Sequence, residues 1–231
     1  MIQIENTIKR YNNTKVVDIS NLTIGAGETV GLVGNNGAGK TTLFRLILDL
    51  IAADSGQIVI NGMAVAGNDD WKKYVGAFVD ESFLIDFLHV KEYFDFIGTL
   101  YGLNAADIRK FLEDMQPFFA GEILESDKLI REYSLGNKKK IGIAAAIMGQ
   151  PNVLILDEPF TSLDPTSQIR LKKILNDLNE HTGMTTLISS HDLNHITDVS
   201  KRIIVMHKGV LVKDIMTNKH TLAELEAYFG E

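Results

Sequence analysis

Three regimes of hydrophobic and polar patterning succeed one another along the chain. In the opening third, short apolar runs at 2–4, 16–17 and 22–24 are separated by polar and glycine-containing segments, a pattern of strands and turns. Thr29–Val33 is apolar enough for a buried strand, and it runs straight into a glycine-rich stretch. A helix is predicted to begin near Lys40, because Leu43, Leu46, Ile47 and Leu50 recur at helical spacing. Residues 57–60 read as another strand, stopped by the turn pair Asn61-Gly62.

From 86 to 148 the period becomes helical. Val90, Tyr93, Phe94, Ile97, Leu100 and Tyr101 return at three- and four-residue steps, which puts an apolar stripe on one face. Its aromatics are expected to pack a core, and Gly102 to close the helix. Strands then return at Val153–Leu156, 185–189 and 203–206, compact apolar runs suited to a parallel sheet covered on both faces. A helix follows Pro165 with Ile169, Leu171, Ile174, Leu175 and Leu178. The expectation is a single α/β domain over 1–231, with a core from 1–85 and 149–231 and a helical insertion at 86–148.

Composition narrows the partners. The chain has 231 residues, 45% of them hydrophobic, so a core forms without staples. It holds no cysteine, which excludes disulfides and thiolate metal sites. A net charge of −7 argues against nucleic acid as a partner. The one dense basic run, Lys138-Lys139-Lys140, reads as a solvated helix face. The N-terminal residues lack a signal-peptide pattern, and no apolar run approaches the ~18 residues that span a bilayer. The expected place is the cytoplasm.

The chemistry concentrates in Gly34-Asn35-Asn36-Gly37-Ala38-Gly39-Lys40-Thr41, which fits G-x-x-x-x-G-K-[ST] in full. Glycines let backbone N–H groups curl around phosphate oxygens, and the helix beginning there adds its dipole. Lys40 is expected to reach the β- and γ-phosphates of ATP, and the Thr41 hydroxyl to ligate Mg²⁺, with Thr42 next in the site. Val153-Leu-Ile-Leu-Asp157-Glu158 supplies a buried strand ending in two acids. Asp157 is expected in the Mg²⁺ shell, and Glu158 beside the attacking water as general base. His191, at the end of a further apolar strand, is placed to contact the γ-phosphate.

With these elements in order, the chain resembles an ATP-binding cassette, the nucleotide-binding subunit of membrane transporters, from about Ile2 to Asp214. The resemblance implies a phosphate-loop NTPase core with a mostly parallel sheet, an N-terminal antiparallel β subdomain and an inserted α-helical subdomain. It implies that Tyr11 stacks on adenine. It aligns Tyr133-Ser134-Leu135-Gly136-Asn137 with the signature Leu-Ser-Gly-Gly-Gln, so that Ser134 and Gly136 close the nucleotide site of a second cassette subunit. It makes Asp164 the acidic member of the loop that communicates across the dimer. Two departures stand out: Leu135 and Asn137 replace signature residues, and Asp80 replaces a glutamine that touches Mg²⁺. Asp80 is expected in the metal shell, or alternatively as a solvated turn residue facing the partner. The implied role is to energise integral membrane permease subunits from the inner face of the membrane. The Tyr-Ser-Leu-Gly form resembles exporter-type subunits. A soluble single-cassette ATPase acting on an assembly scaffold is the alternative.

Overall fold

In the computed structural model, which describes residues 1–230, two sheets share one body. The chain order is β1 (Ile2–Tyr11), β2 (Thr14–Ile24), β3 (Thr29–Val33), α1 (Lys40–Ile47), β4 (Ser55–Ile60), β5 (Met63–Ala64) and β6 (Val75–Phe78). It continues with α2 (Val90–Leu100), α3 (Ala105–Phe119), α4 (Leu135–Met148), β7 (Val153–Leu156), α5 (Pro165–Thr182) and β8 (Thr185–Ser190). It ends with α6 (Leu193–Val199), β9 (Arg202–His207), β10 (Val210–Met216) and α7 (Thr221–Gly230).

The separate apolar runs of the first third belong to one long hairpin. β1 and β2 pair antiparallel from Ile2↔Ile24 to Tyr11↔Thr14, and β4 and β5 extend the sheet in the order β2-β1-β4-β5. The larger sheet runs β10-β9-β3-β8-β7-β6, and only its β10 edge is antiparallel.

Side-chain alternation explains why this sheet is covered twice. Val153 and Ile155 of β7 face a core built with β1, β2, β4 and α1, around Ile2, Ile4, Phe44 and Ile58. Leu154 and Leu156 face the opposite core, around Phe94, Phe118, Phe119, Ile143 and Leu171. Each of the four strand residues is fully buried, which is why β7 reads as an unbroken apolar run.

Between the sheet-bearing segments, α2 and α3 form the helical layer and α4 returns the chain to the sheet. The α2 stripe buries Val90, Tyr93 and Phe94, whereas Leu100, at the end of the helix, is 67% exposed. Helix α4 is buried on nearly every side, from Lys139 to Met148. This overturns the solvated reading of the basic run: Lys139 and Lys140 are 6% and 3% exposed. Charge in a sequence predicts exposure only where the helix has a free face, and α4 packs against both the sheet and the other helices. No helix among the described residues is long and apolar enough to cross a membrane.

Candidate nucleotide site

Parallel registry brings the chemistry to one edge. Val33 pairs with Ser190 and Leu156 with Ile188, so the chain leaves β3 into Gly34, β7 into Asp157 and β8 into His191 at the same end of the sheet. Open α/β sheets bind ligands at that end.

The phosphate loop is shaped by close approaches. A Cβ on Gly34 would lie 2.3 Å from the Met206 carbonyl oxygen, and one on Gly39 would lie 2.4 Å from that of Val16. Gly39 also sits at φ 108°, a region in which side chains are strained. Asn35, Asn36 and Gly37 form the exposed crown of the loop, while Ala38 is buried beneath and accepts from the Gly209 N–H at 2.9 Å. Gly39 stands at the N-cap of α1 and offers no side-chain cap. The helix therefore presents uncapped backbone N–H groups, the arrangement an anion completes. Lys40, 6% exposed, donates to the Gly34 carbonyl at 2.7 Å and lies 3.6 Å from Glu158 Oε1. Tyr11 ends β1 on the same hairpin whose Val16 touches the loop, and the residue is 48% exposed.

Asp157 is buried at the end of β7. Burial pushes its carboxyl above the ordinary range, while hydrogen bonds from the Ser189 and Thr41 hydroxyls pull the other way. A buried carboxylate that is costly to ionise beside a threonine hydroxyl suits a hard cation. Among the described residues no group of three or more acids and histidines is arranged to hold a metal ion by itself, so an ion here would complete its shell with phosphate oxygens and water. Glu158 follows in the left-handed region, at φ 47°. Its N–H donates to Ser189 Oγ at 2.9 Å, and its Oε2 lies 2.9 Å from His191 Nδ1. Lys40, Asp157, Glu158 and His191 thus form one connected cluster. Ser189 was absent from the residues singled out by sequence, although it directly precedes Ser190-His191. Its hydroxyl ties the two acids together, a role visible only when β7 and β8 are side by side.

The remaining candidates lie on helix starts. Ser134 caps α4 by accepting from Asn137 N–H at 3.3 Å, and a Cβ on Gly136 would meet the Ser162 carbonyl oxygen at 2.6 Å. Asp164 caps α5: it accepts from the Ser167 N–H at 3.0 Å and from its hydroxyl, and the buried Lys140 lies 3.4 Å away. Those hydrogen bonds first, and then Lys140, hold its carboxyl down at about 2. Asp80 is engaged by two neighbouring side chains. One oxygen accepts from the Ser82 N–H at 2.9 Å and from the Ser82 hydroxyl, and the other lies 3.4 Å from Arg45 Nη2. Burial opposes its charge, but these partners leave its carboxyl below the usual range.

Residues 17–161 match the family model described as ABC transporter. The chain is 36% identical to the bacitracin transport ATP-binding protein BcrA of Enterococcus faecalis over 93% of its own length and 69% of that protein. This chain belongs to the ABC transporter family. Within the family it is a nucleotide-binding, ATP-hydrolysing subunit. It is also 34% identical to the sulfate/thiosulfate import ATP-binding protein CysA of Pseudomonas putida, over 91% of this chain but only 65% of that relative. The fold superposes on a dimeric, post-hydrolysis state of the ATP-binding cassette MJ0796 bound to ADP and Pi. That match has a TM-score of 0.84 at 23% identity and covers 94% of this chain and 99% of the other.

Proposed function

We propose that this ATPase subunit works as a pair of cassettes, each ATP held between one subunit's phosphate loop and the facing subunit's Ser134 and Gly136. The observation that carries the reading is the bridging of Glu158 between His191 at 2.9 Å and Lys40 at 3.6 Å, beside the buried Asp157. Glu158 accepts the proton of the attacking water, and His191 orients its carboxylate. Lys40 moves from Glu158 and the Gly34 carbonyl to the phosphates, and Thr41 and Asp157 hold Mg²⁺. When bound, that ion offsets the charge of the phosphates. Asp80 stays with Ser82 and Arg45 in this reading. Tyr11 offers its ring to the adenine from the hairpin beside the loop, and Asp164 stiffens the start of α5 behind the dimer surface.

The coupled partner is an integral membrane permease. An apolar cavity of about 320 Å³ opens between the sheet and the helical layer, lined by Trp71, Val75, Phe78, Phe83, Leu84 and Tyr93 among others. Phe83, in its lining, stands 54% exposed, and Phe87, four residues further along the chain, 66%. That surface supports docking of a short apolar segment from a membrane protein, which would hold the subunit at the inner face of the membrane. The relatives include both a bacitracin transport protein and an importer, and the Tyr133-Ser134-Leu135-Gly136 form supports an exporter pairing. Glu158→Gln tests the core of the proposal. Turnover is expected to fall ~10²–10⁴-fold with ATP binding retained and an ATP-bound dimer accumulating in light scattering. Near-normal hydrolysis in that variant would sink the assignment.

A further inference from the structure

Glu158 occupies a conformation that costs a non-glycine residue energy, so something must hold it there. Its N–H is fixed by Ser189 Oγ at 2.9 Å. Its carbonyl is fixed from the other side by a lysine: Lys139 Nζ donates to Glu158 O at 2.9 Å and to Thr161 Oγ1 at 2.6 Å, and Thr161 in turn donates to the same carbonyl at 2.8 Å. Lys139 lies on α4, five residues beyond Ser134, and its side chain is 7% exposed. The third neighbour of the ammonium is Glu81 Oε1 at 3.8 Å, in the turn between β6 and α2 that also carries Phe83 and Leu84 of the apolar cavity.

We propose that Lys139 is a positioning residue for ATP hydrolysis, one that fixes the backbone of Glu158 and mechanically links it to the signature helix and to the turn beneath the partner-docking cavity. A buried ammonium is tolerated only with its donors satisfied, and here two of them go to the loop that bears the general base. Burial pulls the Lys139 pKa down even though the carboxylates of Glu81, Glu158 and Asp157 pull it up, as expected for a charge retained where water is scarce. Because the ammonium grips the carbonyl and not the carboxylate, the Glu158 side chain remains free for His191, Lys40 and water. A shift of α4 or of the Glu81 turn moves Lys139, and with it the peptide that aims the base. A misplacement of about 1 Å at a reacting group can cost about 100-fold in rate, so a small displacement gates turnover.

The proposal rests on Glu158 being the general base, and the test separates the two. ATP hydrolysis and equilibrium ATP binding are measured on the full chain for Lys139→Met, Lys139→Gln, Glu158→Gln and Glu158→Gln/Lys139→Met. Lys139→Met keeps the apolar stem without the donor and is expected to lower kcat about 10- to 100-fold with ATP affinity within twofold of wild type. Lys139→Gln, which restores a neutral donor, is expected to recover part of that loss. In the double variant the Lys139 change is expected to add nothing to the residual rate of Glu158→Gln, since both act through one group. Should Lys139→Met not fold, Lys139→Gln is scored in its place against wild type and on the Glu158→Gln background. Dead Glu158→Gln with Lys139→Met at full speed, or losses that multiply in the double variant, would overturn the positioning role alone. Active Glu158→Gln would overturn the assignment of the base, and the Lys139 role with it.

Discussion

Two helices begin beside the nucleotide site, and their first turns are built in opposite ways. At the start of α1 the cap position is Gly39, which brings no side chain to the backbone N–H groups. At the start of α5 the cap is Asp164, which satisfies the Ser167 N–H and hydroxyl and is backed by Lys140. Helix starts need acceptors, and a protein supplies them wherever no ligand will. The bare start of α1 is therefore the one we assign to phosphate, whereas the start of α5 is already closed by its own side chain. The same division holds in the flanking chain. Glycines at 34 and 39 admit the close backbone approach that the loop requires, whereas the acidic loop after β7 is held by side chains: Ser189, Thr161 and Lys139.

The sharpest way to break this contrast is to put a side chain into the bare start. Gly39→Ala would bring a Cβ within 2.4 Å of the Val16 carbonyl oxygen, at φ 108°. The expected result is a loss of about 3 kcal/mol or more in chemical denaturation and ATP binding below detection by equilibrium titration. A milder intrusion is Gly136→Ala, which meets the Ser162 carbonyl oxygen at 2.6 Å and must push the start of α4 away. It is expected to cost roughly 1–3 kcal/mol of stability and to lower kcat while ATP affinity stays within a few-fold, read by steady-state kinetics beside binding.

Removing the cap of α5 is smaller again. Asp164→Ala is expected to cost about 1 kcal/mol and to leave ATP affinity unchanged. Its pH dependence has a definite sign. The Asp164 carboxyl is depressed from 3.8 to about 2, so its stabilising contribution is present above about pH 4 and is lost as the pH falls toward 2. Wild type and Asp164→Ala should therefore converge in thermal denaturation over that window, and a constant offset down to pH 2 would contradict the cap. The smallest effect is expected at Asp80. With its carboxylate engaged by Ser82 and Arg45, Asp80→Asn should leave the dependence of ATPase rate on free Mg²⁺ unmoved. A clear rise in the half-maximal Mg²⁺ concentration would return Asp80 to the metal shell.

Much of this was legible in the residues. The phosphate loop is local: glycine spacing, Lys40 and the strand-to-helix transition lie in consecutive positions, so Gly34 through Thr41 could be read directly. The buried strands β3, β7, β8 and β9 announced themselves because both faces of the sheet are covered and no polar alternation interrupts them. The hairpin β1–β2 was seen only in pieces, since its second face is open to water and carries polar residues through the strands.

Sequence alone determined that this chain carries a phosphate loop, a pair of acids at a strand end and a histidine after a third strand. Each is a short run whose chemistry follows from neighbours one to seven positions apart. Tertiary structure decided which of them meet: β8 inserts between β3 and β7, so Ser189 joins Asp157 to Glu158 across more than thirty residues. It also decided that Lys139 and Lys140 are buried anchors and not a solvated face, and that Asp80 caps a turn. A charged side chain's exposure depends on what packs over its helix, and its partner depends on what the fold brings near. Neither is written in the residues beside it.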